Sequence, residues 1–433
     1  MKHFFRTVGF VAACLAWSAA AQKPAAEIEK PVSAQARSMY QRNGGSVAQI
    51  RVLLGASDSH SATGTGFVVG KGLILTNYHV VSDKALEPDV YRLEFVLPDG
   101  RRGPLQIVAV DVLHDLAVVM GDTAGVRPLA FRVTPMQKGD KGFSLGYPLR
   151  QGLSVVEGTF NGRSEEQYYE TIHFTGAINA GMSGGPVTDS DGRVFGVNVA
   201  THRRGQLVSF LVPVKFARQL LARAAAGGSV ADFRSEVGAQ LSVHGRDVMG
   251  ALLKGPLPVQ KVGEFDIPTK VGDFMQCGAG TEREQDRPYT VDTYQCYTFS
   301  SLYIDDRLSA GMVWFRHSIL RGKDLDALRF AHLQESRFGG GKYEGYGLGY
   351  DRKHHTRWAC SDEIVAVQGS RAKAAICVRR YKRFEGLYDV AVRIATLGDS
   401  AVALQSALDL EGVEFDAAMD FTKRYLEAIR WNR

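Results

Sequence analysis

The chain has 433 residues, 45% apolar and 23% charged, a globular balance that excludes a largely disordered or membrane-embedded polypeptide and leaves room for two folded domains. Fifty-two basic residues face 46 acidic ones, and a net charge of +6 does not single out nucleic acid as a partner.

The first element is a leader. Lys2, His3 and Arg6 precede an apolar run from Thr7 to Trp17, and small residues at Ala19 and Ala21 suit cleavage before Gln22. This pattern predicts a signal peptide over residues 1–21 and a periplasmic or secreted product, because the run is too short to span a bilayer. Lipidation at Cys14, after Val11-Ala12-Ala13, is the competing reading; the apolar run continues past it through Leu15. No other segment has the roughly 18 uninterrupted apolar residues of a membrane helix.

Residues 22–44 read as a tether or short helix. From Ser46 to about Val212, short apolar runs alternate with Gly, Asp and Pro turns: Val47–Leu54, Gly64–Val69, Leu73–Thr76, Tyr91–Leu97, Leu105–Val110, Gly142–Leu145 and Val194–Ala200. Such spacing predicts an all-β barrel or sandwich. After Pro213 the period turns helical, with Phe216, Leu220 and Leu221 on one face and Gly227-Gly228 as its stop. Residues 229–254 read as an amphipathic helix, and Gly255-Pro256-Leu257-Pro258 as a linker. Strands at Thr290–Leu302, Ala310–His317, Thr356–Gln368, Lys373–Arg380 and Tyr388–Thr396, with helices at Asp324–Ser336 and Phe415–Trp431, predict an α+β domain over residues 262–433.

Beyond the leader the cysteines are Cys277, Cys296, Cys360 and Cys377. An even count in an exported chain suggests two disulfides. Three pairings are open, the local one being simplest. No Cys-x-x-Cys spacing suggests zinc, and no metal or cofactor is expected.

The chemistry concentrates in Gly181-Met182-Ser183-Gly184-Gly185-Pro186. Flanking glycines permit a tight turn that presents the Ser183 hydroxyl, with the Gly181 and Ser183 N–H groups available to hold an oxyanion. A serine needs a base, and the base an acid to fix its tautomer. His79 follows a strand in Leu75–Val81, and Asp115 opens the apolar run Leu116–Val119. An acid there is oddly placed unless buried and paired. The order His, Asp, Ser separates this set from other common triads.

On these motifs, residues 45–226 resemble a trypsin-like serine endopeptidase, closest to the HtrA/Do-like branch. Gly64–Val69 followed by Leu75–Val81 is similar to that family's first-barrel signature. Leu145-Gly146-Tyr147-Pro148, Gly158-Thr159-Phe160 and Thr175–Gly181 are similar to its second-barrel signatures. The resemblance implies two six-stranded barrels with a cleft between them, and acyl transfer at peptide bonds with Ser183 as nucleophile, His79 as base and Asp115 orienting it. It also implies a primary pocket built from Ala177, Ile178, Asn198, Val199 and Ala200. No carboxylate stands where a basic-specific relative carries one, so a small or medium apolar residue is expected before the cleaved bond. Attraction of an acidic side chain by His202, Arg203 and Arg204 is the lesser alternative to a solvated loop. Met182 cannot make the ion pair that activates trypsin-like zymogens.

The branch usually continues into PDZ domains. Gly347-Leu348-Gly349-Tyr350 is superficially similar to a PDZ carboxylate loop, but it lies mid-domain near cysteines, and no PDZ domain is assigned. The trimer and chaperone role of the branch therefore do not carry over, and the oligomeric state is open. The basic runs Arg352–His355 and Arg379–Arg383 read as a solvated strand face and loop rather than an anion-binding surface. The second domain could bind substrates, anchor the enzyme to a partner or cover the cleft. Two rival functions stand beside endopeptidase. One is a non-enzymatic binding protein on the same scaffold. The other is an esterase, whose Gly-x-Ser-x-Gly elbow Gly181–Gly185 formally matches, although the β-rich context does not.

Overall fold

In the computed structural model, the described residues are 33–432 apart from 56, 58, 202–207, 228–229, 231, 299–300, 340–351, 369 and 399–400. The leader, Cys14, His202, Arg203, Arg204 and Gly347–Tyr350 lie outside them. Helix α1 (Ala34–Asn43) is capped by Ser33 and seats Ala36 and Met39 on Phe143.

The short apolar runs form two closed antiparallel barrels of six strands each. The first comprises β1 (Val47–Leu54), β2 (His60–Val68), β3 (Leu73–Thr76), β4 (Tyr91–Val96), β5 (Arg102–Asp111) and β6 (Leu116–Met120), with helix α2 (Tyr78–Leu86) between β3 and β4. The second comprises β7 (Lys141–Gly146), β8 (Ser154–Arg163), β9 (Ile172–Phe174), β10 (Pro186–Thr188), β11 (Val194–Thr201) and β12 (Ser209–Pro213). Helix α3 (Val214–Ala225) follows, and its buried Ala217 and Leu220 join a core cluster with Phe67, Leu116 and Val197 from both barrels.

Helix α4 (Phe233–Leu252) is a 20-residue rod, about 30 Å long. Its first half, Val237 and Leu241, packs on the first barrel. Its second half, Val248, Met249 and Leu252, packs on the C-terminal sheet. That half of the chain is α+β. Strands β13 (Val259–Val262) and β14 (Phe265–Pro268) precede β15 (Met275–Glu282), β16 (Tyr289–Thr298), the hairpin β17 (Leu302–Asp305) and β18 (Leu308–Ala310), and β19 (Val313–Gly322). Helix α5 (Ala327–Gly339), strands β20 (Ala359–Val367), β21 (Ser370–Arg380), β22 (Tyr388–Leu397) and β23 (Val402–Val413), helix α6 (Phe415–Glu427) and β24 (Arg430–Trp431) complete it. The main sheet has seven antiparallel strands in the order β15-β16-β19-β23-β22-β21-β20.

Both disulfides are local. Cys277–Cys296 links directly opposed residues of β15 and β16, and Cys360–Cys377 does the same for β20 and β21. The two bridges thus staple the two exposed edge strands, where pairing is otherwise weakest. They close loops of 19 and 17 residues. Reduction is expected to lower unfolding stability by about 3 kcal/mol per bridge. Denaturant titrations with and without reductant check this.

The structure departs from the sequence expectations in the second half. The strand expected over Thr290–Leu302 is two strands, and that over Ala310–His317 breaks at Gly311. Gly311 has φ +84°, and a Cβ there would stand 2.2 Å from His244 Nε2, so the chain turns where only glycine fits. The helix expected to run to Trp431 stops at Glu427, and Arg430–Trp431 pairs with β14 instead. The basic runs are only partly solvated: Arg352, Lys353, Arg380 and Lys382 are exposed, whereas His354, His355 and Arg379 are buried, and several of their charges meet carboxylates of this chain. Arg379 is buried against Asp389, 2.7 Å away. Lys353 and Arg383 reach Glu87, at the end of α2, at 2.8 and 2.6 Å. Hydrogen bonds from those two cations hold the Glu87 carboxyl down at about 2. Among the described residues, no helix is long and apolar enough to cross a membrane.

Candidate active site

Helix α2 begins one residue before His79, and the whole helix is clamped between the first barrel and the C-terminal half. Tyr78 Oη donates to Ile304 O at 3.1 Å, and Arg234 Nη2 donates to Leu86 O at 2.8 Å. Val81, Ala85 and Leu86 share one core cluster with Ile304, Leu308, Tyr381 and Phe384. The residue expected to act as base thus sits on an element with little freedom to move.

Asp115 grips His79 twice. The His79 backbone N–H donates to Oδ1 at 2.8 Å, and ring Nδ1 lies 2.6 Å from Oδ2. An ionised carboxylate only accepts, so Nδ1 carries the hydrogen and Nε2 keeps its lone pair. Asp115 itself has φ +52°, a left-handed conformation uncommon for a side chain of any size. Asn77 Nδ2 holds that turn by donating to Asp115 O at 2.6 Å. Burial disfavours the charged imidazole. The Asp115 carboxylate, by charge and hydrogen bond, and Asp306 beyond it favour the charged form more, and His79 titrates above the ordinary histidine value.

That shift carries a pH signature. A base must be neutral to accept a proton, so the acid limb of a kcat/KM profile is expected above the ordinary histidine pKa. Asp306→Asn removes one of the charges that favour imidazolium, and should move the limb to lower pH. A profile that does not move would show that Asp306 is electrostatically remote from His79.

Ser183 lies in the turn between β9 and β10, and the carbonyls on either side fix the orientation of its peptides. Ala180 O accepts from Leu149 N–H at 2.8 Å. Met182 O accepts from Gly185 N–H at 3.0 Å and from Asn198 Nδ2 at 3.1 Å. In a trans peptide the N–H points opposite to the C=O. The Gly181 N–H is therefore turned away from Leu149, and the Ser183 N–H away from Gly185 and Asn198. The N–H groups of Met182, Gly184 and Gly185 are bonded to Asn179, Asn198 and Met182 carbonyls. Among the described residues, none accepts from Gly181 or Ser183 N–H. Two unengaged N–H groups beside a serine are of the kind that could hold an oxyanion.

The first barrel locks this loop. Thr65 Oγ1 donates to Gly181 O at 2.6 Å and accepts from Tyr147 N–H at 3.0 Å, while Thr65 N–H donates to Ser183 O at 2.8 Å. Gly181 has φ +92°, and a Cβ there would lie 2.4 Å from Tyr147 O. The Ser183 hydroxyl donates to Val199 O at 3.3 Å rather than to His79. A bond of that length contributes about 1 kcal/mol or less, so it holds the hydroxyl only weakly.

The expected pocket residues divide. Val199 lines the cleft beside His79. Ala177 is exposed, and Ile178 is buried in the second-barrel core with Met182. Asn198 is fully buried, with Oδ1 taken by Ser144 and Nδ2 by Met182 O, so it braces the nucleophile loop from behind instead of facing a substrate. The side chain of Ala200 is outside the described set. His114 stacks on Phe216 at 3.7 Å and bonds Asp111, turned away from the Asp115–His79 pair.

Residues 64–197 match the family described as "Trypsin-like peptidase domain". A Synechocystis sp. protein named serine protease HhoA is 33% identical over 180 residues, covering 39% of this chain and 44% of that one. A Chlamydia muridarum protein named periplasmic serine endoprotease DegP-like is 30% identical over 177 residues, covering 39% of this chain and 34% of its own length. The chain thus spans less than half of either relative. The crystal structure of a serine endoprotease from Yersinia pestis aligns with a TM-score of 0.40 and 24% identity, over 47% of this chain and 70% of that one.

Sequence reasoning missed four residues that build the candidate site. Thr65 and Asn77 lay inside quoted motifs, but only the fold reveals their bonds to Gly181 and Asp115. Leu149 sits at φ +47°, which no residue type announces. Tyr303, from the C-terminal half, has its ring centroid 5.6 Å from that of His79. It had no local signal at all.

Proposed function

We propose that this chain is an exported serine endopeptidase. Ser183 attacks the peptide carbonyl as His79 Nε2 takes its proton, and the Gly181 and Ser183 N–H groups hold the oxyanion. His79 then protonates the leaving amine, and water repeats the cycle on the acyl-enzyme. Asp115 orients His79 and stabilises its charged form. The observation that carries the reading is the double grip of Asp115 on His79, together with a serine loop that has two unengaged N–H groups. A small or medium apolar residue before the cleaved bond is supported by Val199 and Phe210, which line the cleft beside His79.

The test compares the chain lacking residues 1–21 with its Ser183→Ala variant on a diverse peptide mixture read by mass spectrometry. Cleavage after small or medium apolar residues by the first alone is expected. A folded protein that cuts nothing would replace this reading with a binding protein on the same scaffold.

A further inference from the structure

Tyr303 belongs to β17, in the C-terminal half, yet its ring meets the His79 ring edge-on at 66°. The hairpin β17–β18 is fixed by its other face. Leu302, Ile304 and Leu308 are buried in the core shared with α2. Successive strand residues point to opposite faces, so Tyr303 is left toward the cleft, and its hydroxyl donates to Asp306 Oδ1 at 2.8 Å. Beside the ring an open groove of about 400 Å³ runs from His79 past Val199. Leu113, Tyr169 and Phe210 line it as well. The ring borders this space without filling it. It acts as a wall of the groove.

We infer that this groove receives one bulky apolar side chain of a polypeptide substrate, within about three residues of the bond cut, and that Tyr303 is the specificity-determining residue that completes it. The inference rests on the endopeptidase reading for which residues flank the bond. Its chemistry is that of an amphipathic ring with few rotamers, pinned by a hydrogen bond and offering its face to an apolar partner. The two barrels alone would leave the groove without this wall, so substrate selection is a property of the whole chain.

The test uses the Ser183→Ala protein, which binds without cutting, and fluorescent peptides carrying Phe, Leu or Gly at one position at a time. Phe or Leu should be preferred over Gly about tenfold at one position. Tyr303→Ala should abolish that preference, and Tyr303→Phe should keep it. Leu113→Trp, which narrows the groove at a lining residue outside the hairpin, should weaken the Phe peptide about tenfold and spare the Gly peptide. The inference is overturned if the preference survives Tyr303→Ala and Leu113→Trp, if all peptides weaken equally, or if no apolar preference exists. Cleavage by the Ser183 protein, measured in parallel, reports separately on the chemistry. Tyr303-dependent binding without cleavage would retire the endopeptidase reading and leave the groove standing.

Discussion

Asp115→Asn is expected to lower kcat about 10⁴-fold with little change in KM. The reason lies in the two bonds at 2.8 and 2.6 Å from His79 to the carboxylate. An amide has one acceptor and one donor end. If its oxygen keeps the backbone N–H, its NH₂ faces Nδ1, and the imidazole must present a lone pair there. Nε2 then carries the hydrogen and cannot act as a base. The substitution is nearly isosteric and should leave the thermal midpoint within a few degrees, which separates a chemical loss from unfolding. Steady-state kinetics on a peptide cut by the parent protein measures it. A loss under tenfold would mean that Asp115 does not set the His79 tautomer.

Gly184→Ala should be almost as damaging, by a different route. Gly184 has φ +84°, and a Cβ there would lie 2.2 Å from Thr65 O and 2.3 Å from Thr76 Oγ1. Both atoms belong to the first barrel, and Thr76 Oγ1 already donates to Thr65 O at 2.7 Å. Neither is the far end of a flexible side chain, so the loop or the barrel must shift. Left-handed strain and overpacking together should cost about 3 kcal/mol of stability. The same shift would tear Ser183 O from Thr65 N–H and misalign the donors on either side. Losing one such donor costs about 10²–10³ in kcat, so a loss of at least that size is expected. Denaturant titration and kinetics on the same preparation give both numbers. Parent-like values for both would refute the interlock between loop and barrel.

The sequence was most legible where residues act through local pattern. Short apolar runs such as Val47–Leu54 and Leu73–Thr76 end where expected, because these barrel strands are buried along most of their length and the turns between strands need Gly, Asp or Pro. His79, Asp115 and Ser183 could be named because each breaks its local rule: a polar group among apolar neighbours, an acid opening a strand, a serine among glycines. What stayed hidden depends on distant partners. Asn198 looked like a pocket residue on a wall strand, and only the fold turns its amide inward to Ser144 and Met182. Strand β23 sits mid-sheet and was not expected, although Leu404, Leu408 and Leu410 are fully buried. Its interspersed Gln405, Ser406, Asp409 and Glu411 obscured the apolar run, and the partners that satisfy several of them, Arg393 for Asp409 and Tyr425 for Ser406, come from elsewhere in the chain. Tyr303 reaches His79 across more than 200 residues of chain, a separation that periodicity cannot see.

The central claim is that His79, held by Asp115, activates Ser183 beside two oxyanion donors. A fluorophosphonate tests it directly, because it reacts with an activated serine hydroxyl and requires no knowledge of the natural substrate. The account predicts one covalent adduct, mapped by mass spectrometry to Ser183, formed by the parent protein and lost in His79→Ala. No adduct on the folded protein, an adduct on another serine, or labelling of Ser183 that persists without His79 would contradict it.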